Sequence, residues 1–157
     1  MSQFFAAAMA VGMTSPLGAT DLEAGAKLYK RCAACHLADG AGVPGAFPPL
    51  TGKPAAWFTE KEARQYLVMV LNKGLAGKLE VAGVTYRGIM PAQGSWLKDE
   101  GTAETLNYVM MELNGATDAR PFSAEEVANI KSTMAGQNAR TLMQLRPQAD
   151  AESEAAK

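Results

Sequence analysis

Histidine is nearly absent from this chain of 157 residues, which has one, and cysteine is almost as scarce, with two. Neither sign of charge is in excess: 15 Lys and Arg stand against 16 Asp and Glu, for a net charge of −1. With no basic surplus and no Lys/Arg-rich block, nothing suggests a nucleic-acid partner. No apolar run reaches the roughly 20 residues that a membrane-spanning helix requires, and no segment repeats. What is there, 48% hydrophobic and 20% charged residues, is the composition of a soluble globular protein. The length suits one domain with residues to spare at both ends.

The first twenty residues carry no charged side chain. Phe4 to Val11 is an apolar run, Ser15-Pro16 breaks it, and Leu17-Gly18-Ala19 offers small residues where a signal peptidase cuts. Residues 1–19 therefore read as a secretory signal peptide with a weak n-region. Beyond them charge is unevenly spread. Residues 21–98 hold ten Lys and Arg against six Asp and Glu, a net of +4, and residues 99–157 hold five against ten, a net of −5. The half with the cysteines is mildly basic and the other half acidic.

Asp21 or Thr20 caps a helix in which Leu22, Ala26 and Tyr29 recur at helical spacing. Residues 37–56 are too rich in Gly and Pro for helix or strand. Thr59, with Glu62 three positions on, reads as the capping box of a helix that runs to about Asn72 and stops at Gly74. Residues 75–95 read as loop, with one short hairpin where Leu79-Glu-Val and Val84-Thr-Tyr flank Ala82-Gly83. A further helix spans about 99–113 and closes at Asn114-Gly115. The expected fold is all-α, three main helices joined by long loops in a domain of residues 20–116. Residues 117–135 add a short helical extension capped by Ser123, and residues 136–157 a polar, disordered tail. Loops of such length leave the domain without a centre unless something else fills it.

Both cysteines and the histidine fall within five positions, Cys32-Ala-Ala-Cys35-His36. A structural zinc ion takes about four protein ligands, and here there is no second ligand cluster. A thioredoxin-like redox pair follows a strand in a βαβ unit, whereas the residues before Cys32 read as helix. A disulfide between positions i and i+3 closes too small a loop to stabilise much. The fourth reading is covalent attachment of haem. Two thiols on one helical face are placed to add across the two vinyl groups of a haem edge. His36, one turn from Cys32, then stands over the ring, where an imidazole binds iron. Haem also supplies the missing centre. It buries on the order of several hundred Å² of apolar surface, worth on the order of 10 kcal/mol at about 25 cal/mol per Å².

A single histidine excludes bis-histidine ligation, which leaves the nine methionines. Met1, Met9 and Met13 fall in the leader and Met143 in the tail, while Met69, Met110, Met111 and Met134 read as helical core. Met90 stands apart in the loop Tyr86-Arg-Gly-Ile-Met-Pro-Ala-Gln-Gly. Pro91 fixes the backbone beside it, and Gly88 and Gly94 allow close approach to a flat cofactor, so Met90 is the candidate sixth ligand. Leu50, Trp57, Tyr66, Leu67 and Ile89 are candidates to line the pocket. Trp57, Tyr66 and Arg64 are candidates to bond the haem propionates.

Taken together, these residues resemble the bacterial class I cytochromes c of the single-haem type. The resemblance covers about residues 22–115 and includes Cys32-Ala-Ala-Cys-His36, Met90-Pro91, Gly25 and Tyr29 in the first helix, and Tyr108 in the last. In the family such small and aromatic positions let the terminal helices cross closely. It also includes Pro48-Pro-Leu-Thr-Gly52, and the family's proline carbonyl that accepts the ligand histidine's Nδ1–H falls here on Pro48. The stretch Leu71-Asn-Lys-Gly-Leu-Ala-Gly-Lys through Met90-Pro91 is similar to the cytochromes that serve periplasmic dehydrogenases and terminal oxidases. The resemblance implies one covalent haem c with iron held by His36 and Met90, no catalytic residues, and periplasmic location. It implies a one-electron carrier, or the cytochrome subunit of a redox enzyme, partnered by a dehydrogenase or terminal oxidase. The alternative is a haem enzyme or gas sensor in which Met90 dissociates. For docking, Lys30, Arg31, Lys53 and Arg87 are the expected basic rim.

Overall fold

The first helix, α1 (Leu22–His36), begins where the Asp21 side chain accepts the Ala24 N–H at 2.8 Å, and it ends at Leu37, whose φ of 63° cannot continue a helix. The computed structural model describes residues 21–147, and the leader assigned to residues 1–19 lies outside the described residues. After a long loop come the single turn α2 (Ala56–Thr59) and the helix α3 (Lys61–Lys73). The antiparallel strands β1 (Leu75–Val81) and β2 (Val84–Met90) follow, then α4 (Gly94–Tyr108), a wider π-helical turn over Val109–Leu113, and α5 (Ala124–Thr133). A 3-10 turn, Thr141–Leu145, ends the described chain. None of the helices among the described residues is long and apolar enough to cross a membrane.

The fold is mostly helical, but not all-α as expected. The hairpin is more than twice the expected length, pairing seven residues from Leu75↔Met90 to Val81↔Val84 where three were expected. Gly77 pairs with Gly88 at its middle, and two glycines of low strand propensity hide the pattern in a single sequence. Met90 therefore sits at the end of a strand and not in a loop. The capping box also differs. Thr59 belongs to α2 and turns its hydroxyl back to the Ala55 carbonyl at 3.3 Å, while Glu60 precedes α3 without a side-chain cap. Burial of Trp57 and Phe58 in the core takes the extra turn that displaces the start of α3.

α1 and α4 cross at Gly25. A Cβ there would collide with the Glu104 carbonyl oxygen and lie 2.9 Å from the Tyr108 Cβ, so only glycine lets the two backbones touch. One turn on, the Tyr29 and Tyr108 rings meet with centroids 5.1 Å apart. Gly25→Ala is expected to destabilise the holoprotein by about 1–3 kcal/mol through overpacking, read as a lower midpoint in urea with an unchanged slope. An unchanged midpoint would show that the helices separate without cost.

α4 breaks at Lys98 (φ 58°, ψ −167°), so its regular part starts near residue 99, where the sequence places a helix. Met69 and Met110 are fully buried in the core, as their helical spacing implies. Ser123 caps α5 by accepting the Glu126 N–H. Asn107 clasps the Phe122 backbone from both ends, accepting its N–H at 2.7 Å and donating to its carbonyl at 3.0 Å, which ties the extension to α4. The segment from Gly136, expected to be solvated, packs down as far as Pro147. Leu142 is fully buried, and the Ala76 N–H of β1 donates to the Ala139 carbonyl at 3.0 Å. One apolar anchor among polar residues is too sparse a signal to reveal packing from the sequence.

Candidate functional site

The last turn of α1 opens onto a cavity of about 630 Å³, within the range of cofactor sites. Arg31, Cys32, Cys35 and His36 line it from α1, and Phe47 and Pro48 from the loop that follows. The hairpin contributes the face formed by three cross-strand pairs: Leu75 with Met90, Gly77 with Gly88, Leu79 with Tyr86. Side chains two apart on a strand share a face, so the two glycines leave the middle of this face flat. Trp96 and, from the C-terminal 3-10 turn, Met143 complete the lining.

His36 is buried, and its Nδ1 lies 2.8 Å from the Pro48 carbonyl oxygen. A carbonyl can only accept, so Nδ1 carries the hydrogen and donates, and Nε2 keeps its lone pair. Burial pushes the imidazole pKa down, with the Pro48 hydrogen bond opposing, so the ring is a neutral donor at pH 7. The loop brings Pro48 there because Gly42 adopts φ 68° and donates its N–H to the His36 carbonyl at 3.0 Å. A Cβ on Gly42 would strike the Phe47 carbonyl and sit 2.7 Å from the Pro48 carbonyl oxygen. Tyr29 secures the same turn, its hydroxyl donating to the Leu37 carbonyl at 2.9 Å. The two cysteines form no disulfide with each other; Cys35 is exposed, and burial pushes the half-buried Cys32 thiol up.

Met90 reaches the cavity from the end of β2. The bend after it is fixed by Gln93, whose N–H donates to the Leu71 carbonyl at 2.7 Å and whose side chain spans from the Pro91 carbonyl to Trp96 Nε1. The cavity thus brings together Cys32, Cys35, His36, Pro48 and Met90, the full set named from the sequence.

A cytochrome c family model matches residues 22–111. The chain belongs to the cytochrome c family. Two proteins named cytochrome c-552, both from Thermus thermophilus, are each 42% identical to it over 111 residues, 69% of this chain. The match covers 84% of one and 74% of the other. As a cytochrome c, the protein carries covalent haem c with iron, and it transfers electrons with redox partners. The residues present fit that group: two thiols on one helical turn, an imidazole and a thioether on one mostly apolar cavity, and a strand face cleared by paired glycines.

Other expected contacts of this cytochrome c fall elsewhere. Ile89 lines the cavity, but Leu50, Trp57, Tyr66 and Leu67 do not; Trp57 and Tyr66 belong to the core, against which Leu67 packs. Arg64 is committed to structure. It donates to both Glu126 carboxylate oxygens at 2.8 and 2.7 Å and to the Phe58 and Arg120 carbonyls. Of the basic rim, Lys30, Arg31 and Arg87 are exposed, whereas Lys53 folds back over the Trp57 ring, 5.1 Å from its centroid. Leu75, Leu79 and Tyr86 were missed, although their alternation with Gly77, Gly88 and Met90 is a period-two signal that the glycines dilute.

Proposed function

We propose that this cytochrome c is a periplasmic one-electron carrier, or the cytochrome subunit of a redox enzyme, and not itself a catalyst. In this reading Cys32 and Cys35 hold the haem through thioether bonds, and His36 and Met90 bind its iron. The single observation that carries it is that an imidazole and a thioether from separate elements line one cavity, the first with its other nitrogen held by Pro48. When bound, the haem iron supplies a ferric/ferrous one-electron couple. The Pro48 carbonyl orients His36 and raises its basicity. Met90, a neutral soft donor, and the mostly apolar lining disfavour the more highly charged ferric form and raise the potential. With both donors supplied by the chain, no position is left for a substrate.

Export is supported by the uncharged, apolar leader of residues 1–19 and by haem attachment outside the cytoplasmic membrane in the family. The partner, a dehydrogenase or terminal oxidase, docks on the face that carries Lys30, Arg31 and Arg87 beside the attachment turn. The reduced holoprotein is expected to bind no carbon monoxide at neutral pH and to titrate reversibly with a one-electron slope. Rapid carbon monoxide binding by the unmodified protein would favour the sensor or enzyme reading, in which Met90 leaves the iron.

A further inference from the structure

Met90 is held by less than its counterpart across the cavity. His36 is buried and fixed by Pro48, whereas Met90 is half-buried between the exposed residues Ile89 and Pro91. Its pairing with Leu75 is the last of the hairpin, and Pro91 has no N–H with which to extend the ladder. The side chain itself is unbranched and has three rotatable bonds. Packing around Met90 therefore does little to keep its sulfur aimed into the cavity.

The bend that follows is fixed by hydrogen bonds instead. Trp96 Nε1 can only donate, so Gln93 Oε1, 2.6 Å away, is the acceptor. That leaves Gln93 Nε2 to donate to the Pro91 carbonyl at 2.7 Å, and both ends of the amide are satisfied in one orientation. The Gln93 N–H donates to the Leu71 carbonyl of α3, and the Gln93 carbonyl accepts the Trp96 and Leu97 N–H groups at 3.2 and 3.1 Å. The Arg31 guanidinium lies 4.8 Å from the centroid of the Trp96 ring, a cation–π contact. Arg31 immediately precedes Cys32. A chain of contacts thus runs from the attachment turn through Trp96 and Gln93 to the residue after Met90.

We propose that Gln93 and Trp96 are positioning residues for the sixth ligand, with Arg31 steadying the Trp96 ring. They keep the Met90 thioether on the iron and set how often that position opens. The inference rests on the reading of Met90 as the ligand. A group that orients a metal ligand changes metal affinity about 10–100-fold when it is removed, and the open fraction should rise by a similar factor.

Imidazole added to the oxidised holoprotein measures that fraction, because a competitor that binds only the open state has an apparent Kd inversely proportional to its population. Gln93→Ala is expected to lower the apparent Kd about 10–100-fold. Trp96→Phe, which keeps a ring but loses the N–H, acts in the same direction. Both keep the sulfur-to-iron charge-transfer band when no imidazole is present, since the ligand itself is intact. Arg31→Gln has a smaller effect, about two- to fivefold. Met90→Ala marks the fully open limit, and Gly25→Ala, which strains the α1–α4 crossing instead, leaves the apparent Kd unchanged. If Met90→Ala binds imidazole tightly while Gln93→Ala and Trp96→Phe match the parent, the positioning role is overturned and the ligand assignment stands. If Gly25→Ala opens the site as far as Gln93→Ala does, general loss of stability is the cause and the positioning role is again overturned. A Met90→Ala variant that binds imidazole no more tightly than the parent overturns the ligand assignment and the positioning role with it.

Discussion

Cys32→Ala combined with Cys35→Ala gives a chain that surrenders all of its haem to acidified organic solvent, whereas the parent protein keeps its haem through the same extraction. The thioether bonds are covalent, so only their absence lets the cofactor leave. In the proposed arrangement His36 and Met90 remain in the double variant and would hold haem by coordination alone, which acid breaks by protonating the imidazole. After extraction the chain is expected to unfold. The cavity of about 630 Å³ is lined by the loop around Pro48, the hairpin and Met143, so removing its occupant strips one side from each of them. The loss, on the order of 10 kcal/mol at about 25 cal/mol per Å², equals the whole stability of an ordinary domain, about 5–15 kcal/mol. Absorbance of the solvent phase and far-ultraviolet circular dichroism of the extracted chain check the two halves of the expectation. Haem that stays with the double variant through extraction would place the attachment elsewhere.

Met90→Ala is expected to abolish the sulfur-to-iron charge-transfer band, admit carbon monoxide and cyanide, and lower the potential. A thioether that binds ferrous iron about a hundredfold better than ferric raises a one-electron potential by about 120 mV, at 59 mV per tenfold, and that increment disappears with it. Met69 and Met110 serve poorly as rivals because both are fully buried in the core. Met143 is the informative control, since it lines the same cavity from the C-terminal 3-10 turn. Met143→Ala should keep the charge-transfer band and the parent's closure to carbon monoxide. If the band survives in Met90→Ala and vanishes in Met143→Ala, the ligand has been assigned to the wrong sulfur.

What could be read in the sequence was whatever depends on residues close together along the chain. Cys32, Cys35 and His36 sit within two helical turns, so their spacing alone describes a face. Pro48 follows His36 by twelve positions, and its hydrogen bond closes a local loop. Met90 was found by elimination and by Pro91 beside it, although the strand that ends at Met90 was not, because Gly77 and Gly88 weaken its alternation. What was lost depends on pairings across the chain. Arg64 looked available for a propionate because nothing near it shows Glu126, its partner 62 positions later. The segment from Gly136 to Pro147 looked like solvent-exposed tail because Leu142 is a single anchor and its contacts lie in the core. Charge counting placed Lys53 on a docking rim, and the Trp57 ring that holds it back is visible only in three dimensions.

The crossing at Gly25 has a consequence in time. Its contact is the Glu104 carbonyl, 79 positions downstream, and a contact so distant in sequence forms late, after the loop between them has closed. A chain that emerges from its N-terminus exposes Cys32 and Cys35 long before α4 exists to meet α1. For that interval the thiols ride on an unclosed segment, open to a haem edge and to whatever delivers it. The late helix gives maturation its window.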